Sequence, residues 1–276
     1  MKLLNGFELA GYIKERQLKS VRGLRQAHGI KPKLAIIQSK NDPAINTYVK
    51  LKQSYGGDIL IAVDRYFVKQ TEIADLVKRL NNDNGVHGII IQLPLVKPDE
   101  THELVNLIDP SKDVDALGDK ADFEAATPLA IMWLLTGFNI ELNGQHILLI
   151  GKGKLVGEPL EKVLKASGLD VEVIERRAKD LAIHTKAADV IITATGNPGI
   201  LGADMIKYGA VVVDAGTASE FGKLVGDLKP DVYTRDDLTV TPKRGGVGPL
   251  TVSALFENVI LAARRSVKSQ DMAKTT

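Results

Sequence analysis

The amino-acid sequence predicts an α/β protein of two domains, the second of them a Rossmann-type nucleotide-binding domain. The chain has 276 residues, more than the ~100–200 residues usual for one domain. In both halves, short apolar segments rich in β-branched residues alternate with amphipathic segments, a pattern typical of parallel sheets with helical crossovers. In the second half, a glycine-rich turn at 151–157 joins one such strand to a helix, as nucleotide-binding sheets do.

The first half predicts a strand–helix–strand–helix–strand unit. Strands are expected at 33–38, 58–67 and 86–95, with an amphipathic helix at 71–82 between the last two. Asp42-Pro43 combines an N-cap residue with proline at the first helical position and predicts the start of the other helix. The segment 86–95 contains a continuous apolar run, which indicates a strand buried on both faces of a parallel sheet.

The second half begins with another helix signal, Thr127-Pro128, and we place the domain junction there. Residues 1–126 then form the first domain and residues 127–248 the second. In the second domain, the strand HILLI precedes the glycine-rich turn, and DVEVIE, ADVIITATG and GAVVVDAG supply three further strands. After Pro249, an apolar stripe predicts a helix over 249–268, which we expect to pack back on the first domain.

Composition excludes several kinds of site. The sequence has no cysteine, so disulfides, thiolate metal sites, iron–sulfur clusters and a cysteine nucleophile are excluded. Its five histidines show no metal-ligand spacing, and we expect no metal. Lysine and arginine number 36 against 34 acidic residues, a net charge of +2, which argues against a nucleic-acid or membrane partner. No signal peptide is recognised and no apolar run approaches the ~18 residues of a membrane helix, so the expected location is the cytoplasm.

The glycine-rich turn has the spacing G-x-G-x-x-x-G, from Gly151 through Gly153 to Gly157. Glycines allow a tight turn and close approach of the backbone to a pyrophosphate, which then faces the N-terminus of the following helix. The alternative is a structural strand–helix turn, but the three further strands favour nucleotide binding. Since no G-K-[ST] occurs there, the turn is not a P-loop.

The end of the next strand bears on which nucleotide binds. An acid there, Glu175, would accept the ribose 2′-hydroxyl of NAD, whereas Arg176 and Arg177 would hold the 2′-phosphate of NADP. Lys152 offers another phosphate contact. We favour NADP and leave NAD open; for each residue taken singly, the alternative is a place in a solvated charge cluster.

One lysine interrupts an apolar helical face. Ile45, Tyr48, Val49 and Lys52 follow the i, i+3, i+4, i+7 spacing and share one side of their helix. The lysine either covers apolar surface with its stem and keeps its ammonium in water, or it takes part in chemistry.

Two further polar residues have the same two interpretations. Gln92 ends an apolar strand, at the edge where α/β sheets bind their ligands, but it would equally satisfy a buried loop. Asp115 lies in KDVDAL and is either a functional carboxylate or the cap of a turn.

Six motifs, in order along nearly the whole chain, carry a resemblance to a known family. TYVKLK is similar to its Y-V-x-x-K, IIIQLPL to Q-L-P-L, and PSKDVDAL to K-D-V-D-G. ATPLAI is similar to T-P-x-G, GKGKLVGEP to G-R-S-x-x-V-G-x-P, and RGGVGPLT to P-G-G-V-G-P-M-T. Together they resemble the bifunctional methylenetetrahydrofolate dehydrogenase/methenyltetrahydrofolate cyclohydrolase family, far more specifically than a glycine turn alone does.

The resemblance implies a role for each matched residue. Lys52 would be the catalytic lysine, Gln92 its partner and Asp115 the anchor of the pterin, while Tyr48 would stack on the folate. These residues and Pro249 would bind the substrate in a cleft between the two domains. The implied candidates for cofactor binding are Gly151, Lys152, Gly153, Val156, Gly157, Arg176, Arg177, Thr195, Gly196 and Gly216.

The implied reactions are oxidation of 5,10-methylenetetrahydrofolate with NADP and hydrolysis of the methenyl product to 10-formyltetrahydrofolate. The family also implies a homodimer in one-carbon metabolism and purine biosynthesis. Two alternatives are another NAD(P)-dependent Rossmann dehydrogenase and a folate- or nucleotide-binding relative that has lost turnover. The first would leave the lysine, tyrosine, glutamine and aspartate candidates without a role.

The sequence departs from the family pattern at five positions. Ala116 and Ala130 stand where the family prefers glycine, so we expect backbone angles there to differ. Lys152 and Gly153 replace an arginine and a serine of the glycine-rich turn, which leaves the choice between NADP and NAD open. Arg244 replaces a proline.

Overall fold

A computed structural model describes residues 1–175, 180–216, 218–220 and 223–275. Its chain divides into two compact units. The lysine unit comprises Tyr12–Ala126 with Val252–Thr276, and the glycine-turn unit comprises Met1–Gly11 with Thr127–Thr251. Each unit contains a parallel sheet flanked by helices, which confirms the predicted two-domain α/β fold.

The elements are numbered along the chain. The strands are β1 (Lys2–Leu3), β2 (Lys33–Gln38), β3 (Ala62–Phe67), β4 (Gly88–Ile91), β5 (Ile147–Ile150), β6 (Val171–Ile174), β7 (Val190–Thr193), β8 (Val211–Asp214), β9 (Ala218–Glu220), β10 (Lys223–Val225) and β11 (Thr239–Val240). The helices are α1 (Gly6–His28), α2 (Pro43–Asp58), α3 (Ile73–Asn81), α4 (Thr101–Val105), α5 (Ala126–Gly137), α6 (Gly157–Ala166), α7 (Leu181–Ala187) and α8 (Val247–Thr275).

The lysine unit is built on a three-stranded parallel sheet in the order β3–β2–β4. The central strand β2 is buried from Leu34 to Gln38, as its continuous apolar sequence requires. The apolar stripe of α3 packs against β2 and β4 together with side chains of α4. Gln38 and Gln92 follow the paired residues Ile37 and Ile91, so both lie at the carboxyl edge of this sheet.

Two elements of this unit are shorter than their sequences predict. The second strand, expected at 58–67, is β3 and starts four residues later, because α2 continues to Asp58 and the chain then turns through Leu60, whose φ is 64°. The third strand, expected at 86–95, is β4 and has only four residues.

The end of α2 lies directly on β3. A Cβ on Gly56 would be 2.4 Å from Cγ2 of Val63 and 3.1 Å from Cε1 of Phe256. The glycine therefore allows the helix to approach both the strand and α8, and a larger residue would force them apart.

The glycine-turn unit contains a six-stranded sheet in the order β1–β11–β8–β7–β5–β6, in which every pairing is parallel. β5 lies between β6 and β7, so the chain leaves β5 toward one side and continues on the other. Rossmann sheets bind nucleotides at such a switch point, outside the carboxyl ends of the strands. β9 and β10 form a separate antiparallel pair.

The N-terminal segment belongs to the glycine-turn unit, whereas the sequence-based division groups residues 1–126 together. Its strand β1 pairs with β11, Lys2 opposite Thr239 and Leu3 opposite Val240. A two-residue strand is too short to show a periodicity, so the sequence gives no signal for this pairing.

From Val252 onward, α8 belongs to the lysine unit. The ring of Phe256 stacks on Tyr55 of α2, with centroids 5.0 Å apart. The Tyr55 hydroxyl donates its hydrogen to Gln17 Oε1 (2.8 Å) and is also hydrogen-bonded to the Ser253 hydroxyl, with the two oxygens 3.0 Å apart. The segment Val247–Val267 is long and apolar enough to cross a membrane by length and hydropathy alone. However, 67% of its 18-residue apolar stretch is buried inside the protein.

Candidate active site

The helix that carries Lys52 begins where the sequence predicts. The Asp42 carboxylate accepts hydrogen bonds from the backbone N–H groups of Ala44 (2.9 Å) and Ile45 (3.3 Å), and Pro43 is the first helical residue. Such a cap satisfies N–H groups that have no partner within the helix. It fixes the start of α2 and hence the direction of its side chains.

The predicted stripe on α2 is partly core and partly open. Ile45 and Val49 are 4% and 0% exposed. Tyr48 and Lys52, on the same face, are only partly buried. The stripe therefore runs from the core to a boundary where a tyrosine and a lysine remain accessible.

Lys52 and Gln92 are in direct contact. The Lys52 Nζ donates a hydrogen bond to Gln92 Oε1 at 2.8 Å. The Gln92 amide nitrogen donates to the carbonyl of Leu93 (3.1 Å), which fixes the orientation of the amide, and its backbone N–H donates to Ile37 (2.8 Å). The glutamine is thus held at the sheet edge with its oxygen toward the lysine.

The surroundings of Lys52 shift its protonation. Burial lowers the pKa of Lys52, and the negative charge of nearby Asp115 offsets part of that effect. Burial also raises the pKa of Tyr48, so the phenol stays protonated. An amine whose charged form is penalised by burial gives up its proton more readily than a lysine in water, as a proton-transfer group requires.

The loop that carries Asp115 is attached to α3 by another lysine. Lys112 Nζ donates hydrogen bonds to the carbonyls of Leu80 (3.0 Å), Asn81 (2.8 Å) and Asp83 (2.8 Å). These carbonyls lie at or just after the C-terminus of α3, where helix carbonyls lack intrahelical partners and attract positive charge. Lys112 therefore has a structural role, which the sequence analysis did not identify.

Asp113 also supports this loop from inside. It is 2% exposed, and its Oδ2 accepts a hydrogen bond from Gly118 N–H at 2.8 Å, while its Oδ1 is buried without a partner. Burial raises the pKa of Asp113 to about 6. Of the two acids in KDVDAL, Asp113 is buried and Asp115 is partly exposed, so only the second is accessible from outside.

The two alanines at family glycine positions behave differently. Ala116 has a φ of 54°, a left-handed conformation that favours glycine. Ala130 is fully buried within α5, where the helix needs no glycine. Ala116 thus has a backbone conformation typical of glycine, whereas Ala130 stands in a regular helix.

At two of the three glycines of the glycine-rich turn, the surrounding backbone leaves no space for a side chain. Gly151 has a φ of 108°, and a Cβ there would be 2.6 Å from the Ala194 carbonyl oxygen. A Cβ on Gly157 would be 2.1 Å from the carbonyl oxygen of Gly151. Gly153 has open space around it and is exposed with Lys152.

The turn lies at the switch point of the sheet. Gly151 follows β5 and packs against Ala194, which follows β7. Val156 is the partly buried residue before α6, so the N-terminus of α6 opens at this edge. The geometry is that of a strand–turn–helix cradle for a phosphate group.

The remaining cofactor candidates follow the next strands at the same edge. Thr195 N–H donates to the Asp227 carboxylate (2.8 Å), and Gly216 is held against that same carboxylate, since a Cβ would be 2.1 Å from its carbon. Gly196 has a φ of 61° and is exposed. Asp227 is fully buried, and no sequence motif points to it.

Arg176 and Arg177 lie outside the described residues. The structure therefore adds nothing to the sequence-based preference for NADP at these two positions.

Pro249 lies in the first turn of α8, in the glycine-turn unit. The segment before it packs on the start of α1: Phe7 N–H donates to the Gly245 carbonyl (3.2 Å), and a Cβ on Gly6 would be 1.8 Å from the Gly246 carbonyl oxygen. Arg244 is exposed.

The candidate residues divide between the two units. The lysine unit contains Tyr48, Lys52, Gln92 and Asp115, and the glycine-turn unit contains Pro249 and the described cofactor candidates. Over the described part of the chain, no cluster of three or more His, Asp or Glu side chains is arranged to hold a metal ion.

Comparison with known proteins identifies the family. Residues 4–115 match the catalytic-domain model of tetrahydrofolate dehydrogenase/cyclohydrolase, and residues 125–267 match the NAD(P)-binding-domain model of the same family. The bifunctional protein FolD of Nautilia profundicola is 35% identical over 97% of this chain and 99% of its own length.

Solved structures give the same result. The bifunctional FolD enzyme of Campylobacter jejuni, a methylenetetrahydrofolate dehydrogenase/cyclohydrolase, is 36% identical with a TM-score of 0.89, covering 96% of this chain and 99% of its own. The Trypanosoma brucei enzyme, complexed with NADP cofactor and inhibitor, is 29% identical with a TM-score of 0.89, covering 96% and 98%. The chain belongs to the tetrahydrofolate dehydrogenase/cyclohydrolase family, as its six motifs predict.

Proposed function

We propose that this protein oxidises 5,10-methylenetetrahydrofolate with NADP and hydrolyses the methenyl product to 10-formyltetrahydrofolate. The observation that carries the proposal is the contact of Lys52 Nζ with Gln92 Oε1 at 2.8 Å, close to the Asp115 carboxylate. These residues stand at the family's motif positions in a chain that matches both of its domain models.

The glycine-turn unit has a shape that fits a dinucleotide. Gly151 and Gly157 allow a tight turn, because any side chain there would collide with neighbouring carbonyls, and the N-terminus of α6 attracts a phosphate. When bound, NADP accepts the hydride from the methylene carbon. We assign phosphate contacts to this turn and to Lys152, and ribose contacts to the loops that contain Thr195, Gly196 and Gly216.

Lys52 is the proton-transfer group of the hydrolysis. Its neutral amine accepts a proton from the water that attacks the methenyl carbon, and it returns that proton to N5 as the bond between that carbon and N5 breaks. The remaining hydroxyl proton passes to solvent as the formyl C=O forms, so that the cationic substrate and water give the neutral product and one proton. Because burial lowers the pKa of Lys52, more of the amine is neutral at pH 7 than in water. Gln92 keeps the amine in position through its hydrogen bond.

Asp115 and Tyr48 hold the substrate. The Asp115 carboxylate accepts hydrogen bonds from the 2-amino group and N3 of the pterin, a paired, charge-assisted interaction. Tyr48 lies one turn before Lys52 on α2 and presents its ring to the p-aminobenzoate group. We add Pro249 as a further substrate contact from the start of α8.

The alternative of another Rossmann dehydrogenase explains the glycine-rich turn but gives no role to the Lys52–Gln92–Asp115 cluster. An assay with purified protein tests the proposal. With 5,10-methylenetetrahydrofolate and NADP, reduced cofactor and the methenyl absorbance should appear, and added methenyltetrahydrofolate should disappear faster than in buffer. Binding of both ligands without turnover, or turnover of neither folate, would contradict the proposal.

NADP and NAD are compared in the same assay. The positive charge of Lys152, Arg176 and Arg177 supports a preference for NADP. A higher kcat/KM with NAD would reverse that assignment while leaving the reaction itself intact.

We further propose that the enzyme works as a cytoplasmic homodimer in one-carbon metabolism, including the supply of formyl groups for purine biosynthesis. Its near-neutral net charge of +2 supports the absence of a nucleic-acid or membrane partner. Light scattering during gel filtration tests the assembly: about twice the chain mass of 29.9 kDa is expected, and the mass of one chain would contradict it.

A further inference from the structure

A buried asparagine of α8 reaches the loop that carries Asp115. Asn258 is 2% exposed, and its Nδ2 donates hydrogen bonds to the carbonyls of Val114 and Glu124, each at 2.9 Å. An amide nitrogen has two hydrogens, so both are used on this connection. Since both acceptors are carbonyls, the orientation of the side-chain amide is also fixed.

Val114 is held from its other side as well. A Cβ on Gly88 would be 2.8 Å from Val114 Cγ2, so the valine side chain occupies the space that this β4 glycine leaves open. The backbone N–H of Ile89 also donates to the Lys112 carbonyl at 2.8 Å. The residue before Asp115 is therefore fixed by its side chain against β4 and by its carbonyl against α8.

The Val114 carbonyl shares a peptide plane with the nitrogen of Asp115. A hydrogen bond that orients this carbonyl therefore orients the plane from which the Asp115 backbone continues. Asp113, whose Oδ2 accepts the Gly118 N–H, fixes the following turn. The backbone from which the Asp115 side chain projects is thus fixed on both sides of this residue.

From these contacts we propose that Asn258 is a positioning residue for folate: it holds the Val114 carbonyl so that Asp115 is presented to the pterin. This inference rests on the proposed function, because it assumes that Asp115 binds folate. Asn258 itself touches neither substrate nor cofactor. An anchor that binds substrate and transition state equally affects KM rather than kcat.

The test is Asn258→Ala, measured as KM and kcat for 5,10-methylenetetrahydrofolate and as dissociation constants for tetrahydrofolate and NADP. We expect KM and the tetrahydrofolate dissociation constant to rise about tenfold, the loss that follows from a misplaced hydrogen-bonding anchor. We expect kcat and the NADP dissociation constant to stay within about twofold. Asn258→Ser, which keeps one donor, should give an intermediate KM and serves if the alanine variant does not fold.

Val21→Ala is the matched control. Val21 is fully buried on α1 in the same unit, and its side chain forms no hydrogen bond with the loop. It should lower thermal stability without raising KM. The inference is overturned if KM is unchanged in the Asn258 variants, if kcat falls in place of a KM increase, or if Val21→Ala raises KM equally. A wild-type protein that neither binds nor converts folate would instead refute the proposed function, and this inference with it.

Discussion

Replacing Lys112 with methionine should destabilise the protein, although this lysine is not at the reacting atoms. Its ammonium donates three hydrogen bonds, to the carbonyls of Leu80, Asn81 and Asp83. Methionine preserves most of the apolar stem and removes all three. The carbonyls at and after the C-terminus of α3 then lose the lysine donor and the positive charge that complements the helix dipole.

The magnitude follows from the number of bonds. A hydrogen bond from a charged donor contributes about 1.5 kcal/mol or more net, so three would contribute about 4–5 kcal/mol. Burial lowers the pKa of Lys112, which means that the ammonium is partly desolvated and that removing it recovers part of this cost. We therefore expect Lys112→Met to lower the free energy of unfolding by about 2–3 kcal/mol and Tm by roughly 5–10 °C.

The assay is thermal and urea unfolding of Lys112→Met beside Lys78→Met. Lys78 lies on α3 and is exposed, so its substitution removes the same charge without the same contacts. The control should change stability by less than about 0.5 kcal/mol. If both variants have the same unfolding temperature and urea midpoint, the contacts of Lys112 with the end of α3 contribute nothing to stability, and the reasoning is wrong.

Three other predictions concern stability and cofactor binding. Ala116→Gly should stabilise the protein by about 0.5–1 kcal/mol, because φ is 54° at this position and the left-handed conformation is costly for alanine; an unchanged or lower urea midpoint would contradict this. Gly151→Ala should weaken NADP binding and lower stability by about 2 kcal/mol, whereas Gly153→Ala, in open space, should do neither; equal losses in both variants would show that the turn is not limited by space. The third concerns pH: Asp113→Asn should gain stability relative to wild type by about 2 kcal/mol between pH 4 and pH 7. Because burial raises the pKa of Asp113 from 3.8 to about 6, the folded protein holds this proton to higher pH than the unfolded chain, and the resulting stabilisation is present below 3.8 and lost as pH rises through about 6. A difference between the two proteins that does not change with pH would disprove the linkage.

The sequence predicted those parts of the fold that have a local signal. The cap at Asp42-Pro43 gave the start of α2, and the helical spacing from Ile45 to Lys52 gave the face that bears the lysine. The apolar segments predicted a parallel sheet in each half, and the glycine-rich turn predicted that the second sheet binds a nucleotide. Pairing between strands that are distant in sequence has no local signal. The strand β1 pairs with β11 across more than 230 residues, and a two-residue strand is too short to show an apolar periodicity.

The sequence-based strand at 58–67 begins at a residue that α2 occupies in the structure. The last turn of α2 contains Gly56 and Gly57, although glycine has low helix propensity. In the structure the helix continues through both residues to Asp58, because Gly56 lets it lie against β3 and Phe256. Tertiary packing thus overrides propensity there.

For the candidate site, the motifs point to residues but not to the contacts that support them. Lys52, Gln92 and Asp115 are candidates from motifs, and the first two are in contact in the structure. Asp113 and Asn258 were not distinguished, because burial and hydrogen bonds across the fold decide their roles. The sequence alone does not show whether the aspartate two positions before Asp115 is buried or exposed.

The central claim is that the Lys52 amine transfers the proton in the hydrolysis, and Lys52→Met tests it most directly. The measurement is the rate of methenyltetrahydrofolate hydrolysis, corrected for the reaction in buffer, beside Lys50→Met, an exposed lysine on the same helix. We expect a loss of about 100-fold or more for Lys52→Met, with unfolding at or above the wild-type temperature, and wild-type activity for the control. Hydrolysis by Lys52→Met at a rate close to that of wild type would contradict the account.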